Sequence, residues 1–549
     1  MATARDEGPP GTGEASSSLS TFTAEARRRP GPGHPAANQG ERRVGANQNA
    51  LAREPTGEAY EPGGMEEDES ERRVVPAKQG NPPEETLRRE GGAGNTGPKE
   101  GKMNGTPSLT DISTRLRRIA ELSRKVQGAP LTTLSHHIDS AWMAEAYRRT
   151  RKGGAVGVDG KSAADFAENL EENLDALLNA LKSGQYRAPP VRRVYIPKAD
   201  GRERPLGIPT FADKVLQRAV AMLLEAVYEP HFHEASYGFR PGRSAHQALD
   251  VLRQTLREMG GGFVIDADIR GYFDTLDHRH LREILDQRVR DGVIVRAIGK
   301  WLNAGVMEGG IVHTSETGTP QGGVISPLLA NIYLDEVLDQ WFEREVRPRL
   351  RGCATLVRYA DDFVLLFERE DDARKVMDVL PRRFARYGLD LHPEKTRLLD
   401  FRHPWRRPTD PDPSHGPGHP RAFDFLGFTH LWKKTAKGGY AVRQQTAGKR
   451  LSRASKAIHQ WCREHRHEPV SRQHQQLGAK LRGHYQYYDR VGNRAALWTL
   501  RYLTVRAWKK WLNRRSQRAR MWWDRFNRLL SRYPLPSPTS LEVLSPANP

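Results

Sequence analysis

Residues 357 to 367 read V-R-Y-A-D-D-F-V-L-L-F, and this run constrains the fold more than any other stretch of the chain. From Leu356 to Phe367 the sequence is apolar and β-prone, the pattern of a buried strand, yet Asp361 and Asp362 interrupt it side by side. A hairpin turn accommodates them, because Asp favours turns and the tip leaves the buried part of the strand. Taken alone, such a tip is more often a solvated turn than a catalytic site. A second acid delivered by another strand would make it a site.

That acid is available in F-V-I-D-A-D-I-R-G-Y-F-D, residues 263 to 274. Strand alternation puts Val264, Asp266 and Asp268 on one face and Phe263, Ile265, Ala267 and Ile269 on the other. Spacing alone leaves Asp266 and Asp268 as competitors. A helix follows behind Asp277, and a second one behind a Gly-containing loop, with Ser326 expected as its N-cap and Pro327 in its first turn. After the hairpin, Val376, Leu380, Phe384 and Tyr387 mark a helix that stops at Gly388, and L-D-L-H-P-E-K-T reads as a closing strand. Strand, helix, hairpin, helix, strand is the split β-α-β plan of a palm-like sheet. Upstream, residues 191 to 210 read as a hairpin turning at Asp200-Gly201, and helical periodicity runs from Asp213 to Tyr228 and behind Ser244.

The sequence has 549 residues, enough for two or three domains, with 87 Lys and Arg against 67 Asp and Glu. The net charge of +20 suits a partner made of phosphates. Residues 1 to 105, rich in Pro, Gly, Ser, Glu and Arg, lack apolar clustering and are expected to be disordered. They hold 14 basic and 17 acidic residues, so the positive excess belongs to the remainder. Between Ala441 and Leu530 there are 22 basic residues against 4 acidic, interleaved with Trp and Tyr in a region that reads as helical. Cations hold a nucleic-acid backbone while rings stack on bases. No run of 18 apolar residues and no signal-peptide pattern is present, so the expectation is a soluble cytoplasmic protein with no membrane partner. Cys353 and Cys462 exclude a disulfide framework, and Cys462 with His465 and His467 reads as a solvated stretch, not a zinc site.

Three clustered carboxylates need cations. Hard oxygen ligands that leave positions to water and phosphate select Mg²⁺, and such a site suits phosphoryl transfer. The motifs Y-A-D-D, D-I-R-G-Y-F-D, P-Q-G-G-V-I-S-P-L-L-A-N-I-Y-L, Y-G-F-R-P-G-R-S-A-H-Q-A-L, I-P-K-A-D-G-R-E-R-P-L-G-I-P and F-L-G-F together resemble the reverse transcriptase and maturase proteins encoded by bacterial group II introns, over roughly residues 110 to 545. The resemblance implies an α+β right-hand polymerase: a disordered tail to 105, fingers and palm over 106–400, a Pro-rich linker or insertion over 401–422, and the end of the palm with a helical thumb/maturase domain over 423–545. It implies an RNA-directed DNA polymerase that uses Mg²⁺, an RNA template, a DNA primer or target DNA and dNTPs, and that binds group II intron RNA to assist splicing and mobility.

Residue by residue, the family motif assigns metal binding and catalysis to Asp268, Asp361 and Asp362, which favours Asp268 over Asp266. Phe273 falls on the aromatic position that excludes a 2′-hydroxyl, Lys198 and Arg204 on the pair that reaches the triphosphate, Gln321 and Gly322 on the nucleotide-binding loop, and Lys395 on the lysine near the leaving phosphate. In the basic region Arg450, Arg453, Lys480, Arg482, Tyr485 and Arg490 are expected to contact RNA. The His-Asn-His endonuclease segment of many relatives is not matched, so second-strand cleavage is not expected. Three rival readings remain. They are an RNA-dependent RNA polymerase, which should not carry Phe273, a domesticated or defence-associated reverse transcriptase, and a splicing cofactor without catalysis.

Overall fold

The computed structural model describes residues 109–538 apart from 127, 198–202, 309, 314–317, 319–321, 407–421, 517 and 519. The N-terminal tail, Lys198, the Asp200-Gly201 turn, Gln321 and most of the Pro-rich segment lie outside the described residues. Among those described, the strands form three sheets. In the first, β1 (Val191–Pro197) and β2 (Glu203–Ile208) make the expected hairpin. The central sheet contains β3 (Phe263–Ala267) and three later strands; β4 (Val306–Glu308) and β5 (Ile311–His313) extend the first sheet, with β4 parallel to β1.

The central sheet has the order β6-β7-β3-β8, where β6 is Ala354–Tyr359, β7 Asp362–Phe367 and β8 Arg397–Asp400. All its neighbours are antiparallel, so β3 runs parallel to β6 with β7 between them, and β7 runs parallel to β8 with β3 between them. These are two interleaved β-α-β units. Alternation divides the sheet between two cores. Phe263, Ile265, Ala267, Phe363, Leu365 and Phe367 join a large cluster with the helix Phe211–Tyr228. Val264, Val364 and Leu366 join a second cluster with Leu249, Leu252 and Leu256 of the helix Ala245–Glu258. Burying each such side chain contributes about 1.5–3 kcal/mol, which anchors the strands on both sides of an acidic tip. The helix Ala245–Glu258 is opened by a capping box, Ser244 with Gln247, as the Ser244 signal predicts.

Three expectations need correction. The closing strand is Arg397–Asp400, not L-D-L-H-P-E-K-T; that segment makes one bridge, Ile269 with Leu391, and then turns through His392 to Lys395 around Pro393, which has no N–H for a ladder. Ser326 is the first helical residue and not the N-cap, since Ile325 holds that position. Gln217 fixes the turn that leads into the helix: its Oε1 accepts from the Val324 amide at 2.8 Å.

The third correction concerns residues after 421. A third antiparallel sheet, β9 (Ala422–Phe425), β10 (Phe428–Lys434) and β11 (Tyr440–Thr446), precedes the helices. Its local signal is the Gly438-Gly439 turn; the buried positions of the two longer strands include His430, Gln444 and Thr446, so no apolar alternation marks them. The helices Gly448–Glu464, Val470–Tyr488, Arg494–Leu512 and Trp523–Arg532 then pack around a third core containing Ile458, Leu477, Leu481, Leu497, Trp508 and Phe526. No helix among the described residues is long and apolar enough to cross a membrane.

Candidate active site

The β6–β7 connection is as short as a hairpin allows. Tyr359 pairs with Asp362, so Ala360 and Asp361 alone make the turn, and Ala360 adopts φ 57°. A left-handed alanine costs about 1–2 kcal/mol, so the surroundings must impose it. Arg358 does so from a fully buried position. Its guanidinium donates to Asp339 Oδ1 at 2.8 Å, to Asn331 Oδ1 at 3.0 Å and to the Ala360 carbonyl at 3.0 Å. Asn331 in turn donates to the Gly238 carbonyl at 2.7 Å, and Gly238 lies so close to the tip that a Cβ there would come within 2.4 Å of the Ala360 nitrogen. Only glycine permits that approach.

Register then assembles the acids. Ala267 pairs with Phe363, so Asp268, one residue beyond β3, arrives beside Asp362, one residue before Phe363. Asp266 and Asp268 take different partners. Asp266 lies opposite Arg397 and is ion-paired with it at 3.0 Å, whereas Asp268 meets the Lys395 ammonium at 2.5 Å. Desolvation and then the Asp268 charge raise the pKa of Asp361, against Arg204 and Arg358, which lower it. Asp362 stays open to solvent on one side, while the protein packed around it, and then Asp361 and Asp268, push its pKa up to about 7; Arg450 opposes this. A carboxylate crowded until it holds a proton near neutrality, as Asp362 is, is short of positive charge. Among the described residues no three His, Cys, Asp or Glu side chains form a ready-made cage, and Lys395 supplies the cation to Asp268. The donor set fits Mg²⁺, which takes one or two carboxylates together with substrate phosphates instead of an all-protein cage.

The other predicted residues fall into place unevenly. Arg204, on β2, is exposed and acts electrostatically on Asp361, so the β1–β2 hairpin reaches the site. Gly322, at φ 121°, sits against β2: a Cβ there would lie 2.6 Å from the Gly207 carbonyl oxygen. Phe273 is half-buried against the large core, in a short helix that follows Gly271 at φ 59°. Its neighbour Tyr272 is fixed by a bond to the Ala330 carbonyl at 2.6 Å. Replacing Phe273 by Ala should raise ribonucleotide incorporation by on the order of 10²-fold, the usual limit for discrimination by shape; single-nucleotide extension with rNTP and dNTP measures it, and unchanged sugar discrimination would remove Phe273 from that role.

Of the six residues expected to contact RNA, two are otherwise engaged. Tyr485 is fully buried in the third core, and Arg490 donates to Asp250 at 2.6 Å and to the His246 carbonyl at 3.1 Å, tying the helices to the central domain. Arg450, Lys480 and Arg482 are exposed and Arg453 is half-buried; Lys480 lies 5.5 Å from the Trp461 ring centroid. The aromatic residues divide by face. Trp508 is core, whereas Trp498 and Tyr502 are exposed on the same helix, with Arg501 over Trp498 and Arg506 over Tyr502. Cys462 is buried, its thiol pushed up to about 12 by desolvation, consistent with core packing. No local sequence signal marks the Arg358, Asp339 and Asn331 support beneath the tip.

Residues 196–430 match the family model described as reverse transcriptase (RNA-dependent DNA polymerase). Protein YkfC of Escherichia coli (strain K12) is 37% identical over 48% of this chain and 73% of its own length. The group II intron-encoded protein LtrA of Lactococcus lactis subsp. cremoris is 36% identical over 52% of this chain, and the match spans about half, 49%, of LtrA. Nuclear intron maturase 2, mitochondrial, of Arabidopsis thaliana is 30% identical over 35% of this chain and 30% of its length. With the family model spanning the hairpin and strand that carry Asp268, Asp361 and Asp362, and with these relatives, the chain belongs to the reverse transcriptases of the group II intron-encoded family.

Proposed function

We propose that this reverse transcriptase copies primed RNA with dNTPs at the Asp268, Asp361 and Asp362 cluster, and that its C-terminal helices bind group II intron RNA to assist splicing and mobility. The observation that carries the reading is the register that sets Asp268 beside an acidic hairpin tip held from below by a buried arginine. In this reading the central sheet is the palm, the β1–β2 hairpin and the helices before it are the fingers, and the helices from Gly448 onward are the thumb. Bound Mg²⁺ would neutralise the attacking and leaving oxygens of phosphoryl transfer. In this reading the three carboxylates would hold that charge, and Arg204, which acts electrostatically on Asp361, would meet the triphosphate. Lys395, ion-paired with Asp268, would be free to hold a phosphate with Mg²⁺ bound at the carboxylates. Phe273 restricts the sugar.

RNA capture is a separate matter of charge. Each phosphate contact contributes about 0.7–0.9 to the slope of log affinity against log salt, because bound cations release counterions. Replacing Arg450, Lys480 and Arg482 together by Gln should lower that slope for intron RNA by about 2–3 while the thermal midpoint stays within a degree or two, since all three are exposed. Filter binding across a salt series measures it. An unchanged slope would move the RNA surface elsewhere.

A further inference from the structure

Two buried polar side chains on the helix Phe211–Tyr228 take no part in the chemistry described above. Asp213 and Gln217, one turn apart, are 2% and 3% exposed. Groups buried so completely cost stability unless each is bonded. Both are bonded, and their bonds form a chain that ends at the loop expected to bind nucleotide.

The chain begins on the helix Gly292–Leu302. Trp301 donates from Nε1 to Asp213 Oδ1 at 3.1 Å and to the Tyr186 hydroxyl at 2.7 Å, and that hydroxyl donates to the same carboxylate oxygen. Lys300 fixes Tyr186 in turn, donating to its carbonyl at 2.6 Å and to that of Gly184 at 2.7 Å. The second carboxylate oxygen of Asp213, Oδ2, accepts from Gln217 Nε2 at 3.4 Å. Gln217 Oε1 accepts from the Val324 amide at 2.8 Å and from the Ile325 amide at 3.5 Å. Two residues before Val324, Gly322 packs on the Gly207 carbonyl of β2, the strand that carries Arg204.

A carboxamide has a donor end and an acceptor end, and its partners decide which way it faces. Ionised Asp213 accepts and cannot donate. Desolvation pushes its carboxyl up to about 6, so at pH 8 it is still ionised and draws the NH₂ of Gln217 toward itself. The acceptor end is thereby left for Val324. The cavity beside these groups, about 10 Å³, has room for no more than one water, so they act on the protein and not on a bound molecule.

We propose that Asp213 and Gln217 are positioning residues for the incoming nucleotide: Asp213 fixes which end of the Gln217 amide faces the loop, and that end holds the loop at Val324. The assignment rests on the polymerase reading above. Neither side chain touches the nucleotide in this account. They set its affinity through the loop that follows from Gln321 and Gly322.

The test uses the full chain at pH 8, with single-nucleotide extension of a DNA primer on RNA, primer–template binding by fluorescence anisotropy, and hydrogen–deuterium exchange of the peptide containing Val324. Asp213→Asn keeps an acceptor for Tyr186 and Trp301 but turns an NH₂ toward Gln217, so the Gln217 amide reverses and the Val324 amide loses its acceptor. Gln217→Glu keeps that acceptor and sets two carboxylates against each other. Each single variant should raise the KM for dNTP about 10-fold and speed exchange at Val324, with kcat within about twofold of wild type and primer–template affinity unchanged. The thermal midpoint of Asp213→Asn should not fall, because the fold no longer holds a desolvated charge. In the double variant the new amide donates to the new carboxylate, which still accepts from Val324, so the KM and the exchange rate should return most of the way to wild type. A wild-type KM in Asp213→Asn would overturn the proposal, as would a double variant no better than the worse single one. A loss of thermal midpoint that parallels the rise in KM across the variants would also overturn it, by reducing the pair to a fold element. Exchange needs no catalysis: an inactive wild-type protein would contradict the polymerase reading, and the exchange series would still uphold or overturn the hold of the pair on the loop.

Discussion

Replacing Asp361 and Asp362 by Asn should abolish DNA synthesis, by several orders of magnitude, in a protein that is folded and more stable without metal than the wild type. Asn keeps the size of each side chain and removes the charge that would hold Mg²⁺. The stability change follows from the crowding. The folded pKa of Asp362 stands at about 7, above its ordinary value of 3.8, so the fold prefers the protonated acid. That preference costs nothing below pH 4, grows as the pH rises toward 7 and is complete above it. The gain in thermal midpoint of the double variant over wild type, measured in chelator, should therefore be small at pH 4 and largest at pH 8. Mg²⁺ should raise the wild-type midpoint at pH 8 and leave the variant unmoved. Binding of intron RNA should stay near wild type, because the basic helices carry it. Equal midpoints at every pH would show that the acids are not in conflict.

Arg358→Met should be the most destabilising single substitution near the site. It leaves Asp339 buried without its partner, and removing one member of a buried pair costs about 3–5 kcal/mol. The same change strips the Ala360 carbonyl of its donor and so releases the turn that presents Asp361. Stability and positioning can be separated by adding Asp339→Leu. With both charges gone, denaturant unfolding should recover most of the lost stability. Polymerisation should remain low, since nothing then holds the left-handed alanine. Recovery of activity together with stability would show that Arg358 acts only through the fold.

Much of this architecture could be read from the chain because its signals are local. The alternation in F-V-I-D-A and D-F-V-L-L-F predicts the two cores on either side of the sheet, and Ser244 and Asp277 cap the helices that they announce. The tip acids are legible for the same reason, whereas strand period puts Asp266 and Asp268 on one face and leaves the choice between them to the family resemblance. The features that escaped depend on distant partners. Arg490 finds Asp250, 240 residues away, and no local pattern separates that arginine from one free to meet phosphate. Nothing in V-R-Y-A-D-D marks alanine as left-handed, because tertiary bonds from Arg358 and packing by Gly238 impose it. Tyr485 is a different case. Leu477, Leu481 and Tyr485 recur every four residues along a helix, so their shared buried face was available from spacing and was obscured by the tyrosines around it. The third sheet offers only the Gly438-Gly439 turn as a local signal, because its buried positions include His430, Gln444 and Thr446, which break the apolar alternation of a strand.

The central claim is that these carboxylates make DNA on an RNA template. It is tested most directly by single-nucleotide extension of a DNA primer annealed to RNA, with purified wild-type protein, each dNTP or rNTP in turn, and Mg²⁺ present or chelated. The expected result is templated addition of the complementary dNTP, little addition of the matching rNTP, and none once the metal is removed. A folded protein that binds intron RNA yet extends no primer on any RNA template would contradict the claim and leave a splicing cofactor in its place.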